Sequence, residues 1–197
     1  IDFGEPFGRL FNNGLITREH RKMSKRGNAV NPDEYVSVQG ADCMRVYLMF
    51  LGPWEQGGDW SDSGISGASR WLSRVWNLTL EPYSRKGGNK PAQEAAKLEL
   101  LRTTHQTIRK VTNDLEKLRF NTMVSALMEL TNYLSGVKEA GQVTVADWDW
   151  AVARLILMLA PSAPHITEEL WQQTGHEYSV HNQSWPEWDE ELAKDEE

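Results

Sequence analysis

AQEAAKLELLRTTHQTIRKVTNDLEKL, residues 92–118, decides the fold. Leu98, Leu101, His105, Ile108, Thr112 and Leu115 recur at alternating spacings of three and four, which places them on one stripe of a long amphipathic helix. The remaining faces carry Lys97, Arg102, Arg109, Lys110 and Lys117. Downstream, Asn121 suits an N-cap, and Met123, Leu127, Leu130, Leu134 and Val137 repeat the same spacing. Thr144 with Asp147 three positions on forms a capping-box signature ahead of Trp148, Val152, Leu155, Ile156 and Leu159. Pro161 ends that helix, and Pro164 suits the first turn of the next. In this next helix Glu168 and Glu169 favour the positive end of the dipole, while Leu170 and Trp171 face inward. Upstream, residues 65–81 place Ala68, Trp71, Leu72, Val75 and Trp76 on one side of a helix closed by Pro82. Links as short as residues 85–91 and 141–143 favour an antiparallel bundle of four to five helices, so the chain reads as mainly α.

Residues 1–63 differ in kind. Short helix candidates at 6–12 and 41–51 alternate with a possible hairpin at 15–24 and the glycine-rich loop GPWEQGGDWSDSG at 52–64, a small α/β segment. The expected organisation is residues 1–63 as the edge of another domain, 64–186 as the helical bundle and 187–197 as an acidic tail.

The net charge of -7 is local: EWDEELAKDEE at 187–197 holds seven acids and one lysine. The rest of the chain is nearly neutral, yet residues 9–26 carry six Lys and Arg against one Glu, and residues 97–119 carry six against three acids. Two basic regions in a neutral body fit a polyanion touching selected faces, and equally fit two solvated surfaces. Cys43 is the single cysteine, so no internal disulfide or cysteine metal cluster forms, in keeping with a reducing, cytoplasmic setting. No apolar run reaches a membrane span; AVARLILMLA at 151–160 is interrupted by Arg154 and reads as a buried helix. A chain opening on Ile1 without a signal-peptide pattern reads as a piece of something longer.

Residues 18–35, REHRKMSKRGNAVNPDEY, concentrate the first basic region. Its KMSK, followed by Gly27 and Asn28, sets two ammonium groups around a hydroxyl on a loop that glycine lets close over an anion. None of the histidines (His20, His105, His165, His176, His181) forms the H-x3-H spacing of a helical metal pair, and no metal site is expected. His105 reads as a hydrogen-bonded core histidine, and His165 as a packing or capping residue. No serine has a G-x-S-x-G context. Arg119 and Asn121 suit either a helix junction or RNA phosphate.

Four stretches together resemble one family: KMSKRGNAVNPDEYV (22–36), GADCMRVYLMFLGPWEQGGDWSDSGI (40–65), LRFNTMVSALMEL (118–130) and LMLAPSAPHITEELW (157–171). Their order is similar to class I aminoacyl-tRNA synthetases of the leucine, isoleucine and valine subgroup, and FLGPWEQGGDWSDSGI resembles the leucyl members. The resemblance implies ATP-dependent ligation of leucine to tRNA(Leu). It implies a loop of Lys22, Met23, Ser24 and Lys25 that binds ATP, with Lys25 as the catalytic lysine, and a helical anticodon-binding domain that docks tRNA. Arg102, Arg109, Lys110 and Lys117 are the candidate tRNA contacts. ATP with Mg2+ and the catalytic and editing domains of the same monomeric chain are the further partners implied. Residues 1–197 are expected to be inactive alone. The loop departs from the family's KMSKS pattern by one residue, the second serine. The competing reading is a noncatalytic tRNA-binding or scaffold module derived from a synthetase.

Overall fold

The computed structural model describes residues 4, 7–24 and 27–194. Among these the chain runs β1 (Leu15–Arg18), β2 (Arg21–Lys22), α1 (Pro32–Gln39), α2 (Ala41–Phe50), β3 (Gly57–Trp60), α3 (Asp62–Leu80), α4 (Lys90–Glu116), α5 (Phe120–Ala140), α6 (Val145–Leu159) and α7 (Pro164–Gln173). A 3-10 turn follows at Val180–Asn182.

The long helix forms where its spacing predicts, with a rotated inner face. Asn89 caps α4 by accepting from the Ala92 amide at 2.9 Å, and Pro91 occupies the first turn. Its buried line runs through Leu100, Thr104, Ile108 and Val111, leaving Leu101, His105, Thr112 and Leu115 on the flank and Leu98 42% exposed. Hydropathy passes over Thr104 because its hydroxyl is polar. In the helix that hydroxyl donates to the Leu100 carbonyl at 2.7 Å, so the residue enters the core with its polar atom satisfied.

The other helices follow their apolar spacing, but Asn121 does not cap α5: the helix already begins at Phe120, with Arg119 at the cap position and no side-chain cap bond, so Asn121 falls in its first turn. Met123, Leu127, Leu130 and Leu134 of α5 are fully enclosed and Val137 is half-buried. Buried Thr131 donates to the Leu127 carbonyl at 2.7 Å and accepts from the Trp71 indole at 3.1 Å, joining α5 to α3. Thr144 caps α6 by accepting from the Asp147 amide at 3.1 Å. Thr144→Ala is expected to lower the unfolding free energy by about 1 kcal/mol in a urea titration. In α7, Glu168 turns to accept from Ser179 and from the Val180 amide, which ties down the chain that follows.

The front of the chain adds one strand that alternation did not signal. β3 pairs parallel with β1, Leu15 opposite Gly57 through Arg18 opposite Trp60, and β2 pairs antiparallel on the other edge. Glycine hides this strand from a hydropathy reading. At Gly57, with φ of 72°, a Cβ would stand 2.1 Å from the Leu15 carbonyl oxygen, so only glycine lets the strands meet. The helix expected at 6–12 is absent from the described residues 7–12. Phe7 and Leu10 there are mostly exposed, so no apolar face has a surface to fold against.

One core spans the described chain. Cys43, Met44, Val46 and Tyr47 of α2 pack into the cluster built by α3 to α7. Helix α5 lies at its centre, against α2, α3, α4 and α6. The connection between α6 and α7 is clasped by α2: Arg45 donates to the carbonyls of Ser162 (3.1 Å) and Pro161 (2.8 Å). One turn earlier, Asp42 accepts from the Ile166 amide and bonds His165 Nδ1, each at 2.7 Å. The acidic segment is docked through residue 194. Trp185 donates to Thr112 (2.8 Å), the Asp189 amide to His105 Nδ1 (3.0 Å) and Gln106 to the Lys194 carbonyl (3.1 Å), all on α4.

Candidate phosphate loop and basic surfaces

The lysine-rich loop stands on the β1–β2 hairpin. Its two-residue connection, Glu19 and His20, has φ of 54° and 58°, the left-handed pair that matches the twist of a tight hairpin. Neither residue is glycine, and the tension is offset from outside the hairpin. Asp59 of β3 accepts from the Thr17 hydroxyl at 2.6 Å and from the His20 amide at 2.8 Å. These bonds, Thr17 first, hold the Asp59 carboxyl below its ordinary range. Asp62 is lowered likewise, by the Tyr35 hydroxyl, then by the Trp60 indole and the Arg18 guanidinium 3.4 Å away. Folded values below the unfolded 3.8 mean that both carboxylates support the fold above that pH. Their support is lost as pH falls through the depressed values. Protection of the His20 amide, its exchange rate taken relative to an unstructured amide at the same pH, is therefore expected to fall on acidification below about pH 4, ahead of that of amides in α5.

The loop itself alternates outward and inward residues. Lys22 and Ser24 are exposed, while Met23 between them is half-buried against the core beside Val30 and Tyr35. Asn28 closes the base: its Oδ1 accepts from the Ser24 amide at 3.2 Å and its Nδ2 donates to the Arg18 carbonyl at 3.5 Å. The Gly27 amide donates to the Ser24 carbonyl at 3.2 Å, giving a narrow turn with Asn31 capping α1 directly beyond. Lys25, the candidate catalytic residue, lies outside the described residues, as does Arg26. The sequence places Asn28 in the loop after Gly27 but does not reveal its role, because a clip across a turn leaves no periodic signal.

The four candidate cations of α4 do not make one uniform face. Arg102 and Arg109, two turns apart, are half-buried and engaged in contacts on the face where the acidic segment docks. Lys110 is paired with the buried Asp114 carboxylate at 3.0 Å. Lys117 stands exposed at the C-cap of α4, close in sequence to Arg119 at the N-cap of α5. His105 accepts at Nδ1, and burial, only partly opposed by Asp189, keeps its pKa below 6.5. A histidine depressed by folding stabilises above its unfolded pKa and ceases to do so as pH falls through its folded one. The seat of the acidic segment is expected to loosen as pH falls below the ordinary histidine range, through the depressed value of His105.

A cavity of about 690 Å³ lies between α2, α3 and α7 and is lined by Asp42, Cys43, Ser69, Trp76 and His165. Its polar groups serve the fold, since Asp42 holds the start of α7 and the Cys43 thiol donates to the Ile65 carbonyl. Burial pushes that thiol up, away from thiolate chemistry. Among the described residues, no group of three or more His, Cys, Asp or Glu is placed to hold a metal ion, and no helix is long and apolar enough to cross a membrane.

Comparison with known proteins matches both parts of the chain. Residues 97–197 match the family described as the anticodon-binding domain of tRNA ligase, and residues 2–60 match tRNA synthetases class I (I, L, M and V). A leucine–tRNA ligase of Dehalococcoides mccartyi is 59% identical over all 197 residues, which cover 24% of that relative. One from Rubrobacter xylanophilus is 50% identical over 198 aligned positions, covering 100% of this chain and 23% of the relative. The chain thus spans about a quarter of the length of these relatives. Among solved structures, the ternary complex of Agrobacterium radiobacter K84 agnB2 LeuRS, tRNA and LeuAMS superposes with a TM-score of 0.84. It is 34% identical and is matched over 98% of this chain and 25% of that one.

Proposed function

Since the chain belongs to the family of anticodon-binding domains of tRNA ligases, we propose that it forms the part of a leucine–tRNA ligase that closes on the phosphates of ATP and seats tRNA(Leu). The observation that carries this reading is similarity to leucine–tRNA ligases along the whole chain, at 59% identity, through loop and bundle alike. Such continuous similarity favours the enzyme over a scaffold module.

In this reading a leucine carboxylate oxygen attacks the α phosphorus of ATP, the bond to pyrophosphate breaks, and negative charge builds on the departing group. Lys25 places its ammonium against that charge, an interaction stronger in the transition state than in the ground state. Lys22 adds a second cation and Ser24 a hydroxyl donor from the exposed side of the turn. Met23, anchored in the core, and Asn28, clipping the base, keep the loop from collapsing while it moves. Mg2+ belongs with ATP in the complete enzyme, and the work assigned to this chain is done by its own ammonium and hydroxyl groups.

Residues 1–63 are assigned to the edge of the catalytic domain, 64–186 to the helical anticodon-binding domain and 187–197 to an acidic tail, which meets α4 at Asp189 and Lys194. Contacts to tRNA run mainly to backbone and shape, with Arg102, Arg109, Lys110 and Lys117 as candidates. A monomer working in the cytoplasm with its catalytic and editing domains completes the proposal. The chain is expected to bind a leucine tRNA transcript with an affinity that falls steeply with salt. Absence of binding at about 100 μM, the weak end of non-specific association, would remove the tRNA-seating role.

A further inference from the structure

We infer that the notch where the front segment meets the start of α5 is a nucleotide-binding site, taking one unpaired RNA nucleotide on Trp54 and its flanking phosphates on Arg9, Lys117 and Arg119. The inference rests on the tRNA-seating role proposed above and gives it a place on the surface.

The notch holds about 270 Å³ and is lined by Arg9, Phe11, Trp54, Glu55, Lys117 and Arg119 among others. Its cations come from three places in the chain. Lys117 is the C-cap just past α4, Arg119 the N-cap just before α5, and Leu118 between them takes a left-handed φ of 54°, a bend that sets both side chains beside one hollow. Arg9 arrives from the front segment, its guanidinium 4.2 Å from the centre of the Phe11 ring. Lys97, Lys110 and Lys138 each have a carboxylate partner, whereas among the described residues no carboxylate pairs with Arg9, Lys117 or Arg119. Three cations converge, therefore, on a lining whose acid, Glu55, is paired with none of them.

The aromatic floor makes the ligand a nucleotide rather than an anion alone. Trp54 is 41% exposed and Phe11 39%, unusual for rings next to a core that encloses Trp71 and Trp148. Trp54 is braced edge-on by Phe120, with ring centres 5.3 Å apart, so a face is held ready at no further conformational cost. A fixed aromatic face among cations is the arrangement that takes a splayed base with its phosphates. Glu55 and Asn121 on the rim are placed to bond a ribose 2′-hydroxyl, and the Glu55 carboxylate disfavours additional phosphate.

The test titrates the full chain with a leucine tRNA transcript across a salt series, each variant being checked for unchanged helicity. The combined Lys117→Gln and Arg119→Gln variant is expected to bind about tenfold more weakly near 0.1 M salt and to lose roughly 1.5 from the log–log salt slope. Trp54→Leu is expected to weaken binding about tenfold with the slope intact, and Trp54→Phe to restore most of it. Lys90→Gln, at the far end of α4, is the control with no expected change. If the unaltered chain binds tRNA and the notch variants bind equally well, the notch assignment is overturned while the tRNA-seating role stands. If Trp54→Leu has no effect and polyglutamate competes as well as RNA, the notch is a general anion site and the nucleotide assignment falls. Failure of the unaltered chain to bind overturns both.

Discussion

Replacing Lys25 by alanine in a complete ligase that carries this chain is expected to lower leucine-dependent ATP–pyrophosphate exchange by roughly 10²–10³-fold, the range for losing one preorganised donor to developing charge. Affinity for tRNA is expected to stay unchanged, because the residues proposed to seat tRNA lie in the notch and on α4 and do not include Lys25. Lys22→Ala is expected to cost less, since Lys22 is held in β2, back from the tip of the turn. Disruption of Asn28 supplies a different signature. Asn28→Ala frees the Ser24 amide and unclips the turn, so exchange falls while every phosphate-facing group is retained. Equal exchange rates for Lys25→Ala and the unaltered enzyme would show that the shortened loop no longer carries the chemistry.

The largest expected loss of stability comes from Leu127→Ala, about 3–4 kcal/mol in a urea titration. Leu127 is fully buried on α5, the helix enclosed by α2, α3, α4 and α6. A cavity there is walled on every side, so little of it closes by relaxation. For a chain of this size the melting temperature is expected to fall by about 10 °C. Leu98→Ala is the contrast. The same spacing rule places both leucines on apolar stripes, yet Leu98 is 42% exposed and its loss is expected to stay within about 0.5 kcal/mol.

That pair shows how far the chain's sequence specifies its fold. Periodicity located α3 to α7, because each buries an apolar stripe; of the expected caps Thr144 holds its helix, whereas Asn121 lies within α5 and Asn89, the cap of α4, was not anticipated. Periodicity misjudged the rotation of α4, whose inner line includes Thr104, satisfied by a carbonyl within its own helix. It missed β3, where Gly57 and Gly58 supply backbone rather than side chain to the sheet. Asp42 was equally silent: its role depends on meeting the start of α7, 124 residues away. At the site, the loop and its cations were legible as a local cluster. The notch was not, because Arg9, Trp54 and Lys117 converge only in three dimensions.

The most direct test replaces the matching quarter of the Dehalococcoides mccartyi leucine–tRNA ligase with residues 1–197 of this chain and measures leucylation of tRNA(Leu). Similarity along the entire chain places every junction at an aligned position, so the hybrid is expected to fold. The account predicts that it forms leucyl-tRNA and that Lys25→Ala removes this activity at the exchange step. A hybrid that folds and binds tRNA yet activates no leucine would contradict it.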